Sequence, residues 1–483
     1  MRRPAVTAGR REAGRPALGG AARLFGGALA ARAAALLAGF WLAAAAGWGA
    51  EFRAGAARVD VTPEGPIWMS GYAVRDHPSE GVDQPLYVRA LALEDAGGRR
   101  FVFVSLDLIG IPRSLADEVA ARAAKEYGLE RAQLLLNASH THAGPVVWPN
   151  LSAMYFLSGA EKRKLMDYRR RLADSILTAV GAALGRLAPA RLAFGEGEAG
   201  FAVNRREFQP DGTVKIGVNP EGPVDHSVPV IRVTGEDGRL RAVVFGYACH
   251  NTTLTGHNYR ISGDYAGFAA ALLEKAEPGS VALFLALCGG DQNPNPRGEP
   301  RHVAQHGKTL AGEVNRVLAG RLSRLHPPLR AAFQLVDLRF RHHTREQFEK
   351  EARSENRFLA ARARRMLEAY DARRPVRSIP YPVQAVRFGD GPAVLALGGE
   401  VVVDYALRAK REYAGHPLIV AGYSNDVMGY IPSLRVLKEG GYEPVQSTIY
   451  YGLPGPFADD VEETIFETIH RVLRRVGLQR GSR

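Results

Sequence analysis

Leu134–Pro145 reads LLLNASHTHAGP. Its leucine run has no polar break, which predicts a buried strand, and it gives way abruptly to small and polar residues. His140 and His142 follow at a spacing of two. In an extended chain side chains alternate, so a continued strand would turn both imidazoles to one side. Gly144-Pro145 stops any continuation. His-x-His closing a buried strand is a common opening of a metal site. The other reading is a surface turn whose two histidines share no task.

Further apolar runs end in the same manner. Phe101–Leu106 stops at Asp107, Val243–Ala248 at Cys249-His250-Asn251, and Val281–Leu287 at Cys288-Gly289-Gly290-Asp291. Ala393–Leu397 stops at Gly398-Gly399-Glu400, and Leu418–Ala421 at Gly422-Tyr423-Ser424-Asn425-Asp426. Ligands of open α/β sheets bind beyond the carboxyl ends of strands, where distant segments converge. The glycines before Asp291 and Glu400 would let backbone approach a ligand closely. His140, His250 and Glu400 together make a two-histidine, one-carboxylate set that leaves room for a water. Against this, His250 reads equally as a core histidine and Glu400 as a cap on the helical run Val401–Ala414.

Helical periodicity covers Arg113–Tyr127 and Glu161–Leu187, with a second charge-rich helix over Glu346–Ala372 and a shorter one over Tyr265–Lys275, capped by Asp264. Ala57–Thr62 and Leu86–Leu93 read as strands, the latter joined to Phe101–Leu106 through the Gly97-Gly98 turn. The expected fold class is α/β, with mixed β-sheets, flanking helices and an active site at the carboxyl ends of the strands.

Residues 1–50 read as a leader and 51–483 as a single catalytic domain. Seven arginines against Glu12 give the leader a charge of +6, and the apolar run Ala33–Ala46 precedes small residues at Gly47–Ala50. That pattern is a secretory signal, cleaved or retained as a tether, and its apolar run is short for a membrane span. Of the formal charge of +13, +7 then remains on the rest of the chain. With no Lys/Arg run interleaved with aromatics, nucleic acid is excluded as a partner; weak attraction to a membrane surface is compatible with the charge. The two cysteines, Cys249 and Cys288, rule out a disulfide framework or a Cys-rich zinc module and stand either as one disulfide or as buried thiols.

VDVTP at Val59–Pro63, MSGY at Met69–Tyr72, RALALED at Arg89–Asp95, SHTHAGP at Ser139–Pro145, VNRR at Val203–Arg206, ACHNT at Ala248–Thr252, GGDQNPN at Gly289–Asn295 and GYSND at Gly422–Asp426 occur in this order. Together they resemble the catalytic domain of the neutral/alkaline, non-lysosomal ceramidases. The resemblance implies an exported, zinc-dependent amidohydrolase of ceramide-like lipids, one Zn2+ per chain. It implies His140, His250, Glu400 and Tyr430 as zinc ligands, His142 facing the substrate and Arg205 lining the site. Asp107 and Asp291 are then expected to orient ligands by hydrogen bonds. Two departures stand out. Asn293 occupies the position of a family serine, and an amide is not an activatable nucleophile. The chain also follows STIYYGLPGP (Ser447–Pro456) with one helix, where the family continues into a C-terminal β-sandwich. Rival readings are a metallohydrolase of another amide or ester, and a non-catalytic zinc or lipid-binding protein. The loop Val146–Gly159, with Trp148, Met154, Tyr155, Phe156 and Leu157, is expected either to wall an acyl site or to pack into the core.

Overall fold

The computed structural model describes residues 51–481, and the leader read over residues 1–50 lies outside the described residues. Leu134–Ala138 is a strand, and its unbroken apolar run has a clear cause. Leu134 and Leu136 face a helical layer with Leu115, Val119 and Ile176, while Leu135 faces an inter-sheet layer with Phe101, Val386 and Ile419. A strand covered on both sides has no position to give to a polar residue.

This strand lies at one end of a sheet ordered Val281–Ala286, Leu240–Tyr247, Ser227–Gly235, Ala188–Glu198, Phe52–Asp60, Tyr87–Asp95, Arg100–Leu106, Leu134–Ala138. The outermost pair at each end is parallel and the interior pairs are antiparallel. A second sheet runs Leu329–Arg339, Ser378–Phe388, Ala393–Leu397, Leu418–Ala421, with only its last pair parallel. The sheets share one apolar layer. The opposite face of the first carries Arg113–Tyr127, Gly159–Gly185, Asp264–Ala276 and Pro300–Ala319, and that of the second carries Val403–Glu412 and Val461–Arg475. The result is an α/β fold of mixed sheets and flanking helices, as expected.

Asn137 draws the strand ends together. Its Nδ2 donates to the carbonyls of Ala286 (3.3 Å) and Gly422 (2.9 Å) and to Ser424 Oγ (3.1 Å), and its Oδ1 accepts from Ala286 N (2.8 Å). One fully buried amide thus stitches three strand ends, each bond being costly to lose in a dry interior.

Several expectations need correction. The charge-rich helix over Glu346–Ala372 is two helices, Arg345–Glu351 and Arg357–Asp371, because Asn356 caps a fresh start by accepting from Phe358 N and Leu359 N. Asp264 is not an N-cap: it is the first residue of Asp264–Ala276, in the left-handed region at φ 52°, and its carboxylate accepts from Leu254 N and Tyr265 N. Of the two readings offered for Cys249 and Cys288, that of buried free thiols holds.

Candidate metal centre

The strand ends at Ala138, so alternation along it does not align the two histidines. His140 instead turns into the left-handed region (φ 64°), an unusual conformation for a side chain with a Cβ and one that clusters at functional sites. The imidazoles still share a side, with ring centroids 4.7 Å apart. His250 arrives from the end of Leu240–Tyr247, its N–H donating to Gln292 O, and its ring lies 4.7 Å from that of His140. Glu400 and Tyr430 are register partners in a short parallel pair, Glu400–Val401 with Tyr430–Ile431. That pairing places a carboxylate beside a phenol from thirty positions further along the chain. Glu400 does not cap the next helix, whose N-cap is Val402.

The donor atoms converge. Glu400 Oε2 is 3.0 Å from Nε2 of both His140 and His250, and Tyr430 Oη is 3.2 Å from His250 Nε2. Each of these two imidazoles donates Nδ1–H to a backbone carbonyl, His140 to Ile109 (2.6 Å) and His250 to Gly289 (2.8 Å). This fixes the tautomers with both Nε2 lone pairs turned inward. Burial, reinforced by Arg205, pushes His250 down to about 3. Burial opposes ionisation of Glu400, but His140 and His250 hold its carboxyl well below the usual range. Inward lone pairs beside a buried carboxylate fit a divalent cation, because only a positive charge satisfies them together. Three histidines, His140, His142 and His250, have nitrogens within 4.8 Å of one another and are able to hold a metal ion.

His142 differs from the other two. It is half-buried, its Nε2 lies 3.0 Å from His140 Nε2, and its Nδ1 has no partner, so no hydrogen bond fixes its tautomer for ligation. Burial and the neighbouring imidazoles push it well below the usual histidine value, holding it neutral. Gly71 makes room for it: at φ 95°, a Cβ there would sit 2.4 Å from His142 Nδ1.

Arg205, on Ala202–Phe208, is buried against the donors rather than spread along a wall. Its Nη2 donates to Tyr430 Oη (2.9 Å), Nη1 to His250 Nε2 (3.2 Å) and Asn293 Oδ1 (3.4 Å), and Nε to Glu443 (2.9 Å). Burial pushes the Tyr430 phenol well above its usual value, while Arg205 pulls it the other way.

Asp107 and Asp291 do not orient the imidazoles; backbone carbonyls take that role. Asp107 accepts from Arg89 Nη1 and Tyr87 N. Asp291 accepts from Val403 N and Asn204 Nδ2, and its carbonyl accepts from Arg205 N, so it ties the Arg205 strand to the helix after Glu400. The glycines admit backbone to backbone rather than to a ligand: a Cβ on Gly290 would meet Glu400 O at 2.6 Å.

The Val146–Gly159 loop divides. Met154 and Tyr155 are core, Tyr155 Oη accepting from Gly71 N (3.1 Å) behind His142. Trp148 and Leu157 are half-buried against the core. Phe156 alone of the five is 46% exposed, with its ring 5.6 Å from Phe358, which in turn packs on Tyr450 at 5.4 Å. Sequence reasoning missed four neighbours of the site: Tyr423, whose ring lies 4.5 Å from that of His140; Tyr442, beside Tyr430; Glu443, paired with Arg205; and Tyr451, bonded to Glu400. Tyr423 and Tyr451 lie in GYSND and STIYYGLPGP, whereas Tyr442 and Glu443 lie in no motif, and nothing in the spacing of the four marks a role.

The fold and this cluster place the chain in a class. A profile described as neutral/alkaline non-lysosomal ceramidase, N-terminal, matches residues 52–321, and the chain belongs to that family. Among individual proteins it is similar to the neutral ceramidase of Pseudomonas aeruginosa, 29% identical over 253 residues, which are 50% of this chain and 37% of that protein. It is also similar to neutral ceramidase A of Dictyostelium discoideum, 28% over 269 residues, covering 51% and 36% of the two chains. The neutral ceramidase of Mycobacterium tuberculosis is 28% identical over 278 residues, covering 56% and 41%. The matched part is less than half the length of each relative. The crystal structure of the Pseudomonas aeruginosa neutral ceramidase superposes with a TM-score of 0.69 at 22% identity, over 89% of this chain and 75% of that one, which shows a common fold. His140, His142, Arg205 and His250 lie inside the profile match; Glu400 and Tyr430 lie beyond it and join the site through geometry.

Proposed function

We propose that residues 51–483 form a zinc-dependent amidohydrolase domain that cleaves the N-acyl amide bond of ceramide-like lipids, and that residues 1–50 direct its export. The observation that carries the reading is the convergence of His140 Nε2, His250 Nε2, Glu400 Oε2 and Tyr430 Oη beside a buried arginine. Four nitrogen and oxygen donors suit one zinc ion per chain. A bound zinc supplies Lewis acidity, lowering the pKa of a bound water to about 7 and polarising the amide carbonyl. His142, neutral and reaching solvent, is placed to donate an N–H to the developing oxyanion and to carry a proton to the leaving amine. Arg205 holds positive charge beside the Tyr430 phenol and aids the same oxyanion. Among the described residues no helix is long and apolar enough to cross a membrane; a lipid substrate would be taken from a membrane surface or a micelle. Zinc restored to chelator-treated protein is expected to restore fatty-acid release from an N-acylsphingosine. Equal release with and without metal would refute the reading.

A different linear amide or an ester is favoured as a second reading by Asn293, which stands where the family serine is expected. Asn293 is buried and accepts from Arg205 and Thr252, so it helps aim the guanidinium rather than attack a carbonyl. Asn293→Ala is expected to keep part of the turnover and to accumulate no acyl-enzyme; trapping an acyl adduct on any serine by mass spectrometry would contradict the water mechanism. A panel of acyl amides and esters separates the two substrate readings.

Phe156, exposed and packed beside Phe358, is the group of the Val146–Gly159 loop that we assign to a long acyl chain, where each buried methylene would be worth about 0.8 kcal/mol. Phe156→Ser should raise KM several-fold for long-chain amides and leave short-chain amides unchanged. Equal losses for both would remove Phe156 from the substrate path.

A further inference from the structure

Glu400 uses its two oxygens differently. Oε2 points between the Nε2 atoms of His140 and His250, at 3.0 Å from each, whereas Oε1 accepts the Tyr451 hydroxyl at 2.5 Å. Tyr451 closes the short helix Thr448–Tyr451, and its ring stands edge-on to that of Tyr430, 6.4 Å away. The hydroxyl therefore meets the carboxylate on the oxygen that does not face the imidazoles. A carboxylate oxygen held by a short O–H bond has given up charge and a lone-pair direction. It would then be a poor second donor to a cation, leaving Oε2 as the oxygen available to one.

Resting on the proposed metal reading, we infer that Tyr451 is a positioning residue that keeps Glu400 monodentate and so preserves an open coordination position for water at the centre. Without the hydroxyl, Glu400 is free to rotate and present both oxygens, the second taking that position from water. The same bond fixes the carboxylate before metal arrives, which lowers the ordering cost of binding. The segment that carries Tyr451 is itself anchored: Arg362 Nη1 donates to the carbonyls of Leu453 (3.4 Å) and Pro454 (3.2 Å).

The test compares full-length wild type, Tyr451→Phe and Tyr450→Phe, the last removing a neighbouring hydroxyl as control. Zinc affinity is measured by competition with a chelator, and the visible spectrum is recorded with Co(II) in place of zinc. Tyr451→Phe is expected to weaken zinc about 10- to 100-fold. Its Co(II) bands should change in position and intensity as a carboxylate oxygen takes the place of water, while Tyr450→Phe matches wild type. Zinc bound by wild type with unchanged affinity and spectrum in Tyr451→Phe would overturn the inference alone. Weaker zinc with an unchanged Co(II) spectrum and an equal loss of metal-free thermal stability would also overturn it, since that describes packing. Failure of wild type to bind zinc would overturn the metal reading and this inference with it.

Discussion

His250→Ala will lose both zinc and turnover. The imidazole is fully buried, its Nδ1–H is already committed to Gly289 O, and its Nε2 is 3.0 Å from Glu400 Oε2 and 3.2 Å from Tyr430 Oη. Removing it leaves the Glu400 carboxylate with one imidazole partner and opens a cavity where a donor had been. Structural zinc sites draw about 10–16 kcal/mol from a full ligand set, so losing one of four donors lowers occupancy by orders of magnitude. The expected result is less than one-tenth of wild-type zinc by elemental analysis after dialysis, and no measurable amide hydrolysis. His142→Ala is the companion variant. Its imidazole is the one whose Nδ1 has no partner, so zinc should stay bound while turnover falls. Stoichiometric zinc in His250→Ala would remove His250 from the donor set, whereas loss of zinc in His142→Ala would show that the three imidazoles form the centre.

Arg205→Met should lower kcat about 10²- to 10³-fold, the usual loss for removing one fixed donor from a developing oxyanion. It should also move zinc binding to higher pH, and the sign follows from Tyr430. A phenol must lose its proton to serve as a ligand, and a guanidinium donating to its oxygen at 2.9 Å favours the phenolate. Without that cation the phenol holds its proton to higher pH, so the metal competes less well near neutrality. Glu443 retains a partner in Arg206, whose Nη1 donates to it at 2.5 Å, and this limits the cost to folding. Arg205→Lys should recover only part of the loss, because one ammonium does not reproduce a fork that reaches Tyr430, His250, Asn293 and Glu443 together. A pH profile of zinc binding that overlays wild type would separate Arg205 from the metal and leave it a role on the substrate alone.

Much of the fold was legible because strands covered on both sides announce themselves. Arg113–Tyr127, Ala393–Leu397 and Leu418–Ala421 have the limits their patterns predicted, and His140, His250 and Glu400, which follow three of the apolar runs, do gather at one place. The break at Ala352–Asn356 was hidden by continuous charge: helical periodicity tolerates a cap whose effect is visible only once its hydrogen bonds exist. His140 and His142 were found for a partly wrong reason, since a left-handed turn rather than strand alternation brings them together.

By itself the sequence determined the local terms: which segments are apolar enough to be strands, which side chains are able to bind a metal, and which residues stand at strand ends. Those properties are short-range and survive without partners. Only the tertiary structure decided which of them meet. Glu400 and Tyr430 are adjacent because two short strands pair in parallel register, and Asn137 holds three strand ends within reach of one another. Tyr423, Glu443 and Tyr451 join the centre through contacts with residues far away in the chain, and no pattern of neighbours along a chain encodes them. Burial then did the rest: in a dry interior His140 and His250 each had to commit one nitrogen to a backbone carbonyl, and that left the other facing inward.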